Sequence, residues 1–322
     1  MSDPTDEPSV QHNMQTIGFY NLENLFDLKN NPNTNDDDFL PMSSRRWTPK
    51  RYNNKLRKLG FAIANIGRAE TGKHPALVGL AEVENAKVLK DLLDSEYLAT
   101  YSYDFVHFDS LDERGIDVAL IYDTNIFDIL HTETFGVLLT DEDGTPDFTR
   151  DILLVSGLLD GEKIHLIINH WSSRREGLEQ TAPKRMASAE RVGYIISQIR
   201  NSDEDAKILV LGDFNDEPKS ESIRYLVNNY QLYNPMENLR SFKRGTVHFK
   251  RQWFLFDQIL VSTPFFKPSR TQFEFSKADI FDEDFLKLFK GPFKGSPFRT
   301  YVGAKYKGGY SDHFPVYTIL KK

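Results

Sequence analysis

Short apolar runs that stop abruptly in polar side chains are the feature that most constrains this chain. "TIGFYN" (16–21), "ALVGLAEVEN" (76–85), "AKILVLGD" (206–213) and "FDQILVS" (256–262) are each too short for a buried helix and rich in strand formers. "YDFVHF" (103–108) and "IDVALIYD" (116–123) read as neighbouring strands joined by the charged loop "DSLDERG". The segment "DILLVSGLLDGEKIHLIINHW" (151–171) reads as a hairpin, because Asp160-Gly161 is a two-residue turn signal. Helices alternate with these runs. Thr48 and Pro49 open one as N-cap and first residue, Tyr52, Leu56, Leu59, Ile63 and Ile66 line one face, and Gly67 stops it. Others are expected over about 86–94 and 183–200. A final strand ends "SDHFPVYTIL" (311–320), and the Phe-, Lys- and Gly-rich stretch 263–309 carries no clear element. Strands outnumber helices and some join by hairpins, which favours a mixed α/β sandwich over an all-parallel sheet. No internal repeat or linker interrupts the chain, so one domain is expected over 16–322, preceded by a disordered acidic tail over 1–15.

The polar residues at the strand ends form a set. Asn21, Glu82, His170, Asp213 with Asn215, Asp257, and Asp312 with His313 all lie at or beside the ends of apolar runs. Each has a structural reading: a turn cap, a solvated strand terminus, or a histidine satisfied beside Trp171. Together they are what hydrolysis of a phosphate ester requires. Glu82 offers a carboxylate to a divalent cation and Asn21 a neutral oxygen. The two histidines can bind or protonate a phosphate, Asp213 can orient or deprotonate water, and Asp257 can hold a histidine in one tautomer. The absence of cysteine excludes disulfides, thiolate catalysis and zinc–thiolate sites, leaving oxygen and nitrogen ligands that suit Mg2+ or Mn2+. The net charge of −7 argues against coating nucleic acid by charge alone. The basic residues are nevertheless clumped in 45–51, 172–191 and 240–251, either as solvated faces or as the rim of an anion-binding cleft.

The segments "FYNLENLF" (19–26), "LAEVEN" (80–85), "INHWSSR" (168–174), "LGDFNDEP" (211–218), "FDQILVS" (256–262) and "SDHFPV" (311–316) resemble the endonuclease/exonuclease/phosphatase superfamily, in its order. The resemblance is closest to a bacterial group with "ENLFD", "RRWTP" and "GGYSDH", which implies no particular substrate. It implies a four-layer α/β sandwich, two mixed sheets packed face to face with helices outside. It also implies Asn21, Glu82 and Asp312 at the metal, with Glu23 a weaker acidic candidate. Asp213 acts on the attacking water, Asn215 and His313 on the phosphate, Asp257 pairs with His313, and His170 is a second phosphate-side histidine. Two further candidates rest on position alone. Arg174 either reaches a phosphate oxygen or forms an exposed salt bridge, and Asp117 either supports the site or closes a strand edge. Gly212 is expected to allow close backbone approach, and Asp216 to shape the turn without entering the chemistry.

The leading expectation is a Mg2+- or Mn2+-dependent phosphodiesterase cleaving nucleic acid by in-line water attack. The alternative is a phosphatase or phospholipase-C-like enzyme on inositol phosphates, sugar phosphates or lipid headgroups. A catalytically silent binding module is the third reading, and it requires a broken position among the motif residues. The basic and aromatic segment 285–309 could follow a phosphate backbone and stack bases, or pack as an ordinary loop. No apolar run of about 18 residues could span a membrane, and no stable protein partner is implied. The first residues lack a basic, apolar leader. Cytoplasmic location is therefore expected of a native full-length chain, and periplasmic or secreted location of one whose signal was removed.

Overall fold

Alternation within the apolar runs decides the layering. The computed structural model describes residues 13–140 and 144–322. Of the tail expected over 1–15, residues 1–12 lie outside the described residues, and Met14 and Gln15 already belong to the first strand. In chain order the elements are β1 (Met14–Leu25), α1 (Pro49–Asn65), α2 (Arg68–Thr71), β2 (Leu77–Val83), α3 (Ala86–Leu93), β3 (Tyr103–His107), β4 (Asp117–Asp123) and β5 (Phe127–Phe135). A short ribbon, β6 (Leu139–Thr140) and β7 (Pro146–Asp147), leads to β8 (Ile152–Leu159), β9 (Glu162–His170), α4 (Leu178–Ser202), β10 (Ile208–Asp213), α5 (Glu221–Asn229) and β11 (Leu232–Tyr233). The hairpin β12 (Val247–Phe249) and β13 (Gln252–Phe254) precedes β14 (Asp257–Ser262) and β15 (Glu274–Ile280). A last ribbon, β16 (Tyr301–Val302) and β17 (Lys305–Tyr306), comes before β18 (Val316–Lys321).

Two six-stranded sheets carry the fold, in the orders β15-β18-β1-β2-β4-β3 and β11-β14-β10-β9-β8-β5. Each has one parallel pair at its centre, β1 with β2 and β9 with β10, flanked by antiparallel neighbours. The apolar residues of the second sheet divide by period two. Leu209 and Leu211 join the core shared with the first sheet, while Ile208 and Val210 pack with α4 and α5. The same split separates Leu166 and Ile168 from Ile167 on β9, and Ile259 and Val261 from Leu260 on β14. Residues of α1 and α3 cover the outer face of the first sheet, so the layers run helix, sheet, sheet, helix. This is the expected four-layer α/β sandwich.

The expected hairpin turn is present, with Asp160 and Gly161 both at positive φ (44° and 79°), as a type I′ turn demands. The helix expected from 183 begins earlier, at Leu178, and keeps Pro183 inside it. Its first turns are fastened by Arg185, which donates to Thr181 Oγ1 (2.6 Å) and to the Leu178 carbonyl (3.1 Å). Three of the longer elements have no counterpart in the sequence reading: β5, α5 and β15. Both strands lie at sheet margins with mixed exposure, where alternation is weak.

One buried group makes stability depend on pH. His165, on β9, is 5% exposed and shares a hydrogen bond between Nδ1 and Ser156 Oγ (2.7 Å). Burial lowers its pKa from 6.5 to about 4, with the Lys163 charge adding. Below pH 6.5 the unfolded chain takes up this proton and the folded chain does not, so stability falls as pH drops from 6.5 toward 4. The full shift corresponds to about 3 kcal/mol. Urea unfolding across that window is expected to be less pH-dependent in His165→Gln than in the wild type. Equal slopes would show that His165 does not titrate on unfolding.

Candidate active site

The central parallel strands end at one edge of the sandwich, and their antiparallel neighbours start there. Asn21, Glu82, His170 and Asp213 therefore sit near the C-terminal ends of β1, β2, β9 and β10. Asp257 opens β14 opposite Asp213, and Asp312 and His313 lie just before β18. Alternation places His170, Asp213 and Asp257 on the face that carries Ile168, Leu211 and Ile259 against the first sheet. From that sheet Asn21 Nδ2 donates to Asp213 Oδ2 (3.0 Å), joining the two layers. Asn21 Oδ1 accepts from the Glu23 N–H (3.0 Å).

Glu82 follows Ala81 and by alternation would face the helices. Instead it adopts φ 62°, at a register break between Ala81 and Val83. Glu23, Asn24 and Asn215 share this left-handed conformation, at φ 53°, 55° and 49°. Such backbone is costly for residues other than glycine and gathers where side chains must be re-aimed. Glu82 Oε2 accepts from the Asn24 N–H (2.8 Å), while Oε1 lies 3.8 Å from Arg114 Nη2 and 3.9 Å from His170 Nε2. Gly212 also has its expected role. A Cβ there would meet the Asn169 carbonyl oxygen at 2.4 Å, so only glycine lets β10 lie this close to β9.

His313 is ringed by carboxylates. Its Nδ1 bonds Asp257 Oδ2 (2.8 Å), and Nε2 lies 3.9 Å from both Asp213 Oδ2 and Asp312 Oδ1. Burial alone would lower its pKa, but Asp257, Asp213 and Asp312 outweigh it and hold the imidazole well above its usual value. Asp257 is fully buried, and its N–H reaches Thr246 Oγ1 (3.3 Å). Ser311 fixes the loop, donating to the Asn21 carbonyl (2.6 Å) and accepting from the His313 N–H (3.2 Å). Burial pushes the Asp213 carboxyl up to about 7, against the His313 charge and the hydrogen bonds from the Asn215 N–H and the Asn21 amide. His170 behaves oppositely to His313. Burial, then Arg150 and Arg114, hold it well below its usual value, so its ring is neutral. Its Nε2 lies 3.7 Å from Asp213 Oδ2.

Asn215 is held through three bonds. Its N–H donates to Asp213 Oδ1 (3.0 Å), its amide to the Trp171 carbonyl (3.0 Å), and its carbonyl accepts from Arg174 Nε (2.6 Å). Arg174 goes no further: Nη2 pairs with Asp216 Oδ1 (2.7 Å) and the guanidinium stacks on Phe256 (4.7 Å). Asp216 is a structural hub, taking also Arg185 Nε (2.9 Å) and Ser222 Oγ (2.6 Å). Asp117 accepts from the Ser110 N–H (3.1 Å) and faces His107 Nε2 (3.5 Å), touching none of the residues above. Glu23 is locked behind the site. It takes the Thr300 N–H (2.6 Å), Lys55 Nζ at 3.8 Å and Arg299 Nε at 3.7 Å, and burial, then Asp312, push it up to about 7.

Sequence reasoning missed Lys55, Arg114, Arg175 and Arg299. Lys55 carried a signal, since it lies three residues after Tyr52 and four before Leu59, on the apolar stripe of α1. The arginines carried none beyond local basic clumps. For a divalent cation, Glu82 Oε1 and Asp312 Oδ1 are carboxylate oxygens with no hydrogen bond among the described residues, the donor type a hard ion takes. Asp213, Asp257 and His313 also cluster within 4.8 Å, but His313 is spent on Asp257 and carries positive charge, so that group suits a cation less well.

A family model described as endonuclease/exonuclease/phosphatase matches residues 16–322. None of the curated protein sequences matches. Among solved structures, the chain is similar to an endonuclease/exonuclease/phosphatase family protein from Bacteroides thetaiotaomicron at TM-score 0.61 and 19% identity, covering 97% of this chain and 98% of that one. It is similar to a mannosyl-6-phosphatase from the same species at 0.58 and 19%, covering 95% and 99%. It is also similar to D. rerio TDP2 complexed with single strand DNA product at 0.56 and 15%, covering 96% and 99%. At these identities the structures speak for the fold, and the family rests on the matched model. With that match spanning nearly the whole sequence, the chain belongs to the endonuclease/exonuclease/phosphatase family.

Proposed function

We propose that the chain is a divalent-metal-dependent phosphodiesterase that cleaves a nucleic-acid backbone by in-line attack of water. The observation that carries this reading is His313, held cationic by Asp257 beside an Asp213 carboxyl raised to about 7. A group titrating near neutrality can take a proton from water at working pH, and an adjacent imidazolium can meet the charge that gathers on phosphate oxygens. Asp213 accepts the proton of the attacking water, kept in place by the Asn21 amide and the Asn215 N–H. His313 donates through Nε2 to a non-bridging oxygen, and Asp257 fixes its tautomer through Nδ1. His170, neutral, offers a second hydrogen bond without adding charge. The Asn215 amide, which gives one N–H to the Trp171 carbonyl, orients the phosphate in this reading. Glu82 and Asp312 are the residues that would hold Mg2+ or Mn2+, with the Asn21 side-chain oxygen, which accepts from the Glu23 N–H, as a third candidate. Such an ion supplies positive charge to the phosphate and to the departing oxygen.

Nucleic acid is favoured by what adjoins His313. Val247 bridges to His313, so the hairpin of β12 and β13 is tied to the site. It presents Phe249 at 57% exposure beside Lys250 and Arg251, and Phe242 just before it is fully exposed. Exposed aromatics among cations can stack bases and follow a phosphate backbone. The similarity to TDP2 solved with single-stranded DNA is compatible with this, as the similarity to a mannosyl-6-phosphatase is with a monoesterase. A substrate panel in Mg2+ separates the two. Nicking of supercoiled plasmid without release of inorganic phosphate is expected. Release of phosphate from sugar or inositol phosphates, with plasmid left intact, would replace the nuclease reading by a phosphatase.

A further inference from the structure

A cleft of about 340 Å³ opens beside Asp312, lined by four arginines, Arg45, Arg114, Arg175 and Arg299, with Phe39 and Tyr301 among its other walls. It is far larger than the ~30 Å³ of one water. Its acidic residues are each already matched. Arg299 bonds Asp312, Lys55 and the Thr300 N–H hold Glu23, and Asp38 lies 3.3 Å from Arg45. Arg45 is further fixed by its guanidinium over the Phe39 ring (4.6 Å) and the Tyr301 ring (5.7 Å).

Two arginines are left over. Arg114 Nη2 donates to the neutral Asn24 Oδ1 (2.7 Å) and lies 3.8 Å from Glu82 Oε1, and the rest of its fork has no bond among the described residues. Arg175 makes no hydrogen bond or ion pair among the described residues, although it lines the same cleft. Burial and then the Arg114 charge lower its pKa, against the charges of Glu82 and Asp312. Arginine forks with unused donors in such a cleft match phosphate oxygens two at a time.

We propose that this cleft is a subsite for a second phosphate group of the substrate, with Arg114 and Arg175 as its ligands and Arg45 as a fixed cationic wall. The proposal rests on the phosphoester-hydrolase reading above and deepens it: the chain selects substrates with a further phosphate next to the scissile one. That phosphate is either a terminal monoester or the neighbouring backbone diester. The cleft reaches Glu82 through Arg114, so the second phosphate lies on the cation side of the site.

The test uses three thymidine substrates: TpT with the scissile phosphate alone, pTpT with a terminal monoester, and TpTpT with a neighbouring diester. Wild-type kcat/KM in Mg2+ is expected to be at least tenfold higher on pTpT or on TpTpT than on TpT, and the one preferred identifies the source. Arg175→Gln is expected to lose that preference while keeping the TpT rate. A second measurement is independent of turnover. In chelator, inorganic pyrophosphate is expected to bind the wild type at least tenfold more tightly than Arg175→Gln. Equal kcat/KM on all three substrates, or equal pyrophosphate binding by the variant, would overturn the subsite. If none of the three is cleaved while pyrophosphate binding still depends on Arg175, the subsite stands and the nuclease reading falls.

Discussion

His313→Gln is expected to lower kcat/KM on a phosphodiester such as bis-p-nitrophenyl phosphate by about 10³-fold, or ~4 kcal/mol of transition-state stabilisation. Glutamine can still bond Asp257, but it carries no charge. The loss is therefore chemical and should appear in kcat more than in KM. Asp257→Asn probes the same unit from behind. It keeps a hydrogen-bonding side chain at Nδ1 of His313 and removes the carboxylate that holds the ring cationic, so a smaller loss of about 10²-fold is expected. Urea unfolding of both variants is the control. Activity that fell only in proportion to stability would make His313 a structural residue.

The largest effect on stability is expected at Asp216. Its carboxylate holds Arg174 (2.7 Å), Arg185 (2.9 Å) and Ser222 (2.6 Å), and Arg185 is only 1% exposed. Asp216→Ala leaves the Arg185 charge buried without its partner, at a cost of about 3–5 kcal/mol. Restoring neutrality with Arg185→Met in the same chain is expected to recover a large part of that loss, because a well-packed apolar pair has no charge to desolvate. Unfolding midpoints and slopes in urea measure both. A single variant within about 1 kcal/mol of the wild type would show that solvent reaches Arg185 readily. Arg174 also bonds the Asn215 carbonyl, so the loss should carry a secondary drop in activity through a loosened Asn215.

The strand ends were legible because burial on both faces writes continuous apolar runs, and the polar residue that ends each run stands out against it. The layering followed from the same runs, since Leu209 and Val210 face opposite layers by simple alternation. The edge strands β5 and β15 were not legible. "FDILHTETF" and "EFSKADI" face solvent along much of their length, and their pairing is set by neighbours distant in sequence. Glu82 shows a subtler gap. Its place at a strand end was readable, but the left-handed backbone that accompanies its carboxylate's approach to Arg114 and His170 was not. Arg174 and Asp117 were candidates by position; Arg174 bonds the Asn215 carbonyl and Asp216 and stacks on Phe256, and Asp117 bonds Ser110 and faces His107. The cleft arginines come from loops far apart in sequence, so no local pattern announces that Arg114 and Arg175 meet.

Relaxation of supercoiled plasmid by the wild type and by Glu82→Gln, each in Mg2+ and in chelator, tests the central claim most directly. The account predicts nicking by the wild type in Mg2+ alone, loss of nicking in chelator, and a rate in Glu82→Gln lower by about 100-fold or more with the fold intact. Nicking that persists in chelator, or a Glu82→Gln variant as active as the wild type, would contradict it.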